Sequence, residues 1–317
     1  MKKYIFAALL ICVSAFTFAA GNKEARRSNG KITVTTTIFP LYDFTRAIAG
    51  DKINLGMLLP PGAESHSFEP SPRDIISVQN SDVFIYIGGE SEAWVDRILD
   101  SMDTSKTKII KLMDDVDIVE EEIVEGMQEE DEDEDDGGEV EIEYDEHIWT
   151  SPKNAVRMVN AISAGLCEKD SANAPYYREN AEFYTAELNK LDAEFQAIVN
   201  DAKRKTLVFG DRFPFRYFAD AYGLSYFAAF PGCSTETEPS AATVAFLIDK
   251  IKAENIPVVF HIELSNERMA DVIAEETGAK KRLFHAAHNI SKRDFDRGAT
   301  YLEIMTDNLD ALREALQ

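Results

Sequence analysis

The chain is 317 residues long, 45% hydrophobic and formally −24 at neutral pH. That length leaves room for two domains with ample cores, and the ordinary apolar content excludes a disordered or fibrous chain. The negative balance, with no basic patch in view, argues against nucleic acid as a partner. The charge is concentrated in one place: 17 Asp or Glu and no Lys or Arg lie between Glu120 and Glu146, and without them the net charge is only −7.

The chain begins with basic Met1-Lys2-Lys3, a nearly unbroken apolar run from Tyr4 to Ala20, and small residues at Ala19, Ala20 and Gly21. This is the pattern of a secretory signal peptide over residues 1–20, too short for a spanning helix. Export follows, to a periplasm or to the outer face of the cytoplasmic membrane. Cys12 is a poor candidate for lipid attachment, because Ile11 rather than a small residue precedes it and the apolar run continues beyond it. Cys167 and Cys233 remain in the mature chain and are expected to be unpaired, buried thiols.

The β-branched run Ile32 to Thr37 predicts a strand, followed by a helix from about Leu41. Strands at Ile53 to Leu59, Val83 to Ile87 and Lys108 to Leu112 alternate with helices at Pro72 to Asn80 and Trp94 to Ser101. Residues 120–146 interrupt this order. Like charges at such density cannot bury a core, so the segment is expected to be a mobile loop. A helix runs from Pro152 to about Leu166 and a longer one from about Ala172 to Lys203. On the longer one, Tyr184, Leu188, Leu191, Phe195 and Ile198 form one apolar stripe.

A second set of strands follows at Thr206 to Phe209, Leu224 to Phe230, Val258 to Ile262 and Lys281 to Phe284. The helices between them start near Tyr217, Ser240 and Glu267, and an amphipathic helix closes the chain. The fold class is α/β: two lobes, each a mostly parallel sheet flanked by helices, joined by one long backbone helix. The expected boundaries are 31–170 for the first lobe, 171–203 for the linking helix and 204–317 for the second lobe.

Two histidines stand in matching settings. His66 lies in Pro61-Gly62-Ala63-Glu64-Ser65-His66-Ser67-Phe68-Glu69-Pro70-Ser71-Pro72, and His147 in Asp145-Glu146-His147-Ile148-Trp149-Thr150-Ser151-Pro152. Each precedes a Ser-Pro pair, a helix-start signal in which serine caps free N–H groups and proline fits the first helical position. Two of only five histidines in such similar loops point to a metal site. Asp211, Glu263, His285 and His288 each follow a predicted strand, where open α/β sheets bind ligands. His261 and Glu263 share a face of an extended segment. That makes Glu263 a candidate carboxylate near the metal, whereas His261 reads more simply as a core or rim histidine. Trp149 reads as packing.

These two histidine motifs resemble those of the metal-binding solute-binding proteins, often lipoproteins, of the zinc and manganese ABC-transporter family. Tyr217-Phe218-Ala219-Asp220-Ala221-Tyr222-Gly223-Leu224, Glu238-Pro239-Ser240 and Gly298-Ala299-Thr300-Tyr301-Leu302-Glu303-Ile304-Met305 match as well, and the resemblance runs from Ile32 to Leu316. It implies a metal held between two lobes and delivered to a membrane permease by a monomeric carrier without catalytic activity. His66 and His147 carry over directly as ligands. The third ligand falls in the segment Gly210 to Arg216, where Asp211 is the suitable residue after a slip of one position. The family's usual fourth ligand, an Asp, is replaced by Ala286, which makes His288 the expected substitute, with His285 and then Glu263 behind it.

Three imidazoles with one carboxylate suit Zn²⁺, whereas Glu263 in place of His288 would favour Mn²⁺. The competing readings are a secreted zinc-dependent hydrolase, with Glu263 as general base, and a surface adhesin.

Overall fold

Short β-branched and aromatic runs form the strands, and helices that bury one face cross between them. The structure is a computed structural model that describes residues 30–127, 143–234 and 239–317. The signal-peptide segment, Glu238 and most of the acidic segment lie outside the described residues.

The first half comprises β1 (Thr33–Thr36), α1 (Phe39–Ala49), β2 (Asn54–Met57), α2 (Pro72–Gln79), β3 (Val83–Tyr86), α3 (Ala93–Ser101) and β4 (Lys108–Lys111). Two long helices follow, α4 (Pro152–Lys169) and α5 (Ala174–Asn200). The second half is built from β5 (Thr206–Phe213), α6 (Arg216–Tyr222), β6 (Ser225–Pro231), α7 (Ala241–Glu254), β7 (Val258–His261), α8 (Arg268–Thr277) and β8 (Lys280–Leu283). It ends in α9 (Lys292–Asp296) and α10 (Tyr301–Leu316).

Each half holds a four-stranded, all-parallel sheet of the same order, β2-β1-β3-β4 and β6-β5-β7-β8. The expected α/β class with two parallel sheets and a long joining helix is therefore what the chain forms. Two details differ from the sequence reading. The strand expected to end at Phe209 continues as β5 to Phe213, with a register irregularity between Phe209 and Arg212. The short α9 was not anticipated; its start is fixed by Ser291, whose hydroxyl accepts the Asp294 N–H.

Helix α5 packs against α1, α4 and α10. Its buried stripe is Tyr184, Leu188, Leu191, Phe195 and Val199, while Ile198 is only partly buried. One continuous apolar core contains this stripe together with Val34 and Ile85 of the first sheet and Leu207 and Phe260 of the second. Residues 31–317 accordingly form one compact unit.

The two Ser-Pro signals do mark helix starts, with Ser71 and Ser151 in extended N-cap conformation before Pro72 and Pro152. Ser71 and Asp74 form a capping box in which the Asp74 carboxylate accepts the Ser71 N–H at 2.8 Å and the Ser71 hydroxyl at 2.7 Å. Ser151 makes no capping hydrogen bond, so at α4 proline and the extended backbone before it mark the start.

The expectation of a mobile segment over 120–146 fails at both described ends. Glu120 and Tyr144 form an antiparallel bridge, the Glu121 carboxylate accepts the Cys233 N–H at 3.0 Å, and Asp145 and Glu146 are buried. These acidic groups find N–H and O–H donors, which offset their desolvation. Cys167 and Cys233 are both unpaired, Cys167 buried and Cys233 half-buried.

A buried carboxylate ties three helices together. Asp43 accepts the Tyr301 N–H at 2.7 Å, the Tyr184 hydroxyl at 3.3 Å and the Arg46 guanidinium, joining α1, α5 and α10. Burial raises its pKa, against the opposing pull of Arg46 and the Tyr301 N–H. Replacing Asp43 with Ala strands two buried donors and is expected to lower stability by about 2–4 kcal/mol. Urea unfolding measures this; a loss below about 0.5 kcal/mol, the size of an ordinary surface effect, would contradict the assignment.

Candidate metal centre

Three imidazoles converge from three separate loops. His66 lies between β2 and α2, His147 just ahead of α4, and His288 beyond β8. Their ring centroids form a near-equilateral triangle with sides of 5.7 Å (His66–His147), 5.2 Å (His66–His288) and 5.4 Å (His147–His288). One ring nitrogen from each lies within 4.8 Å of the others. Among the described residues this is the group of His, Cys, Asp or Glu side chains arranged to hold a metal ion.

Orphaned polar atoms point to the same place. His66 Nδ1 and His147 Nε2 are buried without a hydrogen-bond partner. A buried, unpartnered nitrogen is costly unless something fills its lone pair. His288 Nδ1 lies 3.2 Å from the Ser65 hydroxyl, an arrangement that leaves Nε2 for a ligand. The cavity they border has a volume of about 30 Å³, enough for an ion and a water molecule. A Zn²⁺ ion with Zn–N bonds of roughly 2.0–2.1 Å requires the three nitrogens to draw in to roughly 3.3 Å from one another.

Two of the rings have partners outside the cluster, Asp145 for His147 and Ser65 for His288. Asp145 Oδ1 accepts the His147 N–H at 2.7 Å and lies 3.1 Å from His147 Nδ1, which orients Nε2 toward the cavity. Gly232 permits the end of β6 to approach this ring. A Cβ there would stand 3.2 Å from the imidazole and 2.9 Å from the Phe213 carbonyl. Trp149, fully packed, donates its indole N–H to the Ala286 carbonyl at 2.8 Å and lies beside both His147 and His288. The loop carrying His288 is clamped by Glu263, whose two oxygens accept the Ala286 and His288 N–H groups at 2.7 and 2.9 Å. This clamp holds Ala287 at φ +60°. Asn289 ties the same loop to the first half through the Pro60 and Ala63 carbonyls, each at 2.8 Å.

The other expected ligands are not part of the cluster, although Glu263 lines the same cavity. Asp211 sits within β5, not on a loop beyond it, and its oxygens accept the Arg212 N–H at 2.9 Å and the Ile262 N–H at 3.2 Å. The continuation of β5 turns the next residue, Arg212, into the cavity instead. His285 faces Glu263 at 3.3 Å, and its Nδ1 accepts the Ala287 N–H at 3.0 Å. His261 Nδ1 lies 3.2 Å from the Ile262 carbonyl, away from the cluster. Sequence reasoning missed Asp145, Glu64 and Arg212. The Asp-x-His spacing signalled the first; nothing local marked the other two.

Burial and neighbouring charges disfavour the cationic form of two of the rings. Burial, then the charges of His147 and Arg212, push His66 well below 6.5. Burial, then His66, His147 and Arg212, do the same to His288. Burial also disfavours the His147 cation, but Asp145 overrides it, with help from Glu146 and Glu121, and the net shift is upward.

The fold and cluster together define a binding protein that presents imidazole nitrogens in a small cavity bordered by both halves. The family model described as the zinc-uptake complex component A, periplasmic, matches residues 34–315. The chain belongs to that family. It is 33% identical over 314 residues to the high-affinity zinc uptake system protein ZnuA of Bacillus subtilis strain 168, covering 99% of this chain and 96% of that protein. The Zn(II)-bound ZnuA-like domain of Streptococcus pneumoniae AdcA superposes with a TM-score of 0.74 at 30% identity, over 90% of this chain and 99% of the domain. AdcA itself is longer, and the match spans 61% of it. The laminin-binding protein Lmb of Streptococcus agalactiae, described as having adhesin and metal-transporting activity, aligns over 90% of this chain and all of its own, with a TM-score of 0.74 at 27% identity. No helix among the described residues is long and apolar enough to cross a membrane.

The depressed histidines give a pH signature in the metal-free protein. Unfolded, His66 and His288 take up protons near pH 6.5; folded, they resist until well below it. Each therefore removes stability as pH falls below 6.5. His147, raised on folding, acts in the opposite sense, as does Glu92, which burial pushes up to about 7. A comparison with His288→Gln isolates the effect. The stability of the native sequence relative to this variant should decline between pH 7 and 5.5, by at most about 1.4 kcal/mol per pH unit. Urea midpoints across that range test it, and a constant difference would contradict it.

Proposed function

We propose that this protein is the extracytoplasmic binding component of a metal ABC importer. It captures one Zn²⁺ between its two halves on His66, His147 and His288 and hands it to a membrane permease. It acts as a monomer after export. The observation that carries this reading is the triangle of inward-facing imidazoles, with two buried nitrogens left unpartnered. Membership of a zinc-uptake family and the likeness to zinc-binding relatives support it.

The donor set favours zinc over manganese. Three imidazole nitrogens in a small cavity suit tetrahedral Zn²⁺, with solvent as the remaining ligand, while Mn²⁺ prefers oxygen donors. Glu263, the carboxylate whose participation would favour manganese, is committed to two backbone N–H groups. The same commitment weakens the hydrolase reading, which needs Glu263 as a free general base. Surface adhesion is a second reading, carried by the likeness to the laminin-binding protein.

Purified mature protein should bind one Zn²⁺ per chain. His66→Ala, His147→Ala and His288→Ala should each weaken binding beyond the roughly 10–100-fold typical of losing a supporting residue. Zinc at 100 times its Kd should stabilise the native protein by about 2.7 kcal/mol and leave the variants near their metal-free stability. Competition titration with a chelating dye and thermal unfolding provide the measurements; zinc affinity unchanged in all three variants would overturn the assignment. If adhesion is also present, laminin binding should survive His66→Ala and His147→Ala; a solid-phase assay that shows it lost would contradict a surface-based contact.

A further inference from the structure

Arg212 is an unexpected neighbour for a cation site. It lines the same cavity as the three histidines, and its side chain is only 13% exposed. Its guanidinium donates to Glu64 Oε1 at 3.1 Å and to the Ser234 carbonyl at 3.1 Å. Glu64 comes from the loop after β2, two residues before His66, and Arg212 from β5, so the pair crosses from one half of the protein to the other. Glu64 also lines the cavity. Its second oxygen accepts the Ser67 N–H at 2.9 Å, so both oxygens are engaged.

A fixed positive charge beside a metal site opposes any dication, so it needs a reason to be there. Glu64 supplies one. A Glu at the rim of three imidazoles is a natural additional ligand, and an oxygen donor would shift the site toward harder ions such as Mn²⁺. Arginine, with its planar fork of donors and permanent charge, is well suited to hold a carboxylate away from a competing cation.

We propose that Arg212 is a specificity-determining residue: by binding Glu64 it withdraws that carboxylate from the metal and keeps the site all-imidazole, which favours Zn²⁺ over Mn²⁺. This inference rests on the metal-capture reading above. Arg212 itself touches no metal; it acts through Glu64.

Competition titrations with Zn²⁺ and Mn²⁺ on four proteins test it: the native sequence, Arg212→Gln, Glu64→Gln and the double variant. Arg212→Gln frees Glu64 and should raise Mn²⁺ affinity by about tenfold or more relative to Zn²⁺, the scale on which supporting residues tune metal sites. Glu64→Gln should show no such gain, and the double variant should lose it, because the added ligand is gone. Arg212→Met serves if the glutamine variant does not fold, as judged by a cooperative thermal transition. An unchanged Zn²⁺ to Mn²⁺ ratio in the arginine variants, or a gain that persists in the double variant, would overturn the proposal. If the native protein binds neither ion, the metal-capture reading fails instead, so the two failures are distinguishable.

Discussion

The acidic groups around the metal-type cavity are committed to other partners, which leaves the imidazoles as the donors with lone pairs to offer. Asp145 holds His147, Glu263 holds the backbone before His288, Asp211 binds the Arg212 and Ile262 N–H groups, and Glu64 is bound by Arg212 and Ser67. Carboxylates are the stronger hydrogen-bond acceptors and the dearer groups to bury unpaired, so they are used up on N–H donors. A neutral imidazole nitrogen costs less to leave unpaired than a carboxylate. The division of labour follows: carboxylates shape the loops, and histidines face the cavity.

The rest of the fold supports that arrangement. Two parallel sheets of the same strand order present their loops to one region, and α5 runs between the halves with its apolar stripe buried in a continuous core. Contacts cross the site in several places. Trp149 reaches Ala286, Asn289 reaches Pro60 and Ala63, Tyr301 donates to the Trp149 carbonyl at 2.6 Å, and Glu121 meets Cys233. Loops of this length would wander if left to solvent; here each is tied on both sides of its histidine. Such ties hold the three rings in a near-equilateral triangle with sides of 5.7, 5.2 and 5.4 Å.

Much of this was legible in the sequence. Strand and helix order followed from β-branched runs and from apolar spacing, because those patterns are local. His66 and His147 stood out through their matched loops, and His288 through its place after a strand. Asp211 falls outside the histidine cluster for a tertiary reason. The local pattern ends the strand at Phe209, yet pairing with β6 carries it on to Phe213 and turns Arg212 into the cavity. Neither that extension nor the Arg212–Glu64 pair, 148 positions apart, has a local signature. The acidic segment was misjudged at its ends for a similar reason. Charge density predicts solvation unless distant donors such as Ser91 and Cys233 are brought near by the fold.

The central claim is that imidazoles alone from this protein hold the metal. X-ray absorption spectroscopy at the zinc edge of the stoichiometrically loaded protein measures this most directly. The expected spectrum has a first shell of nitrogen and oxygen at roughly 2.0–2.1 Å, with outer-shell scattering from three imidazoles and solvent as the remaining ligand. A spectrum with fewer than three imidazoles and a bound carboxylate in place of the missing ring would contradict it.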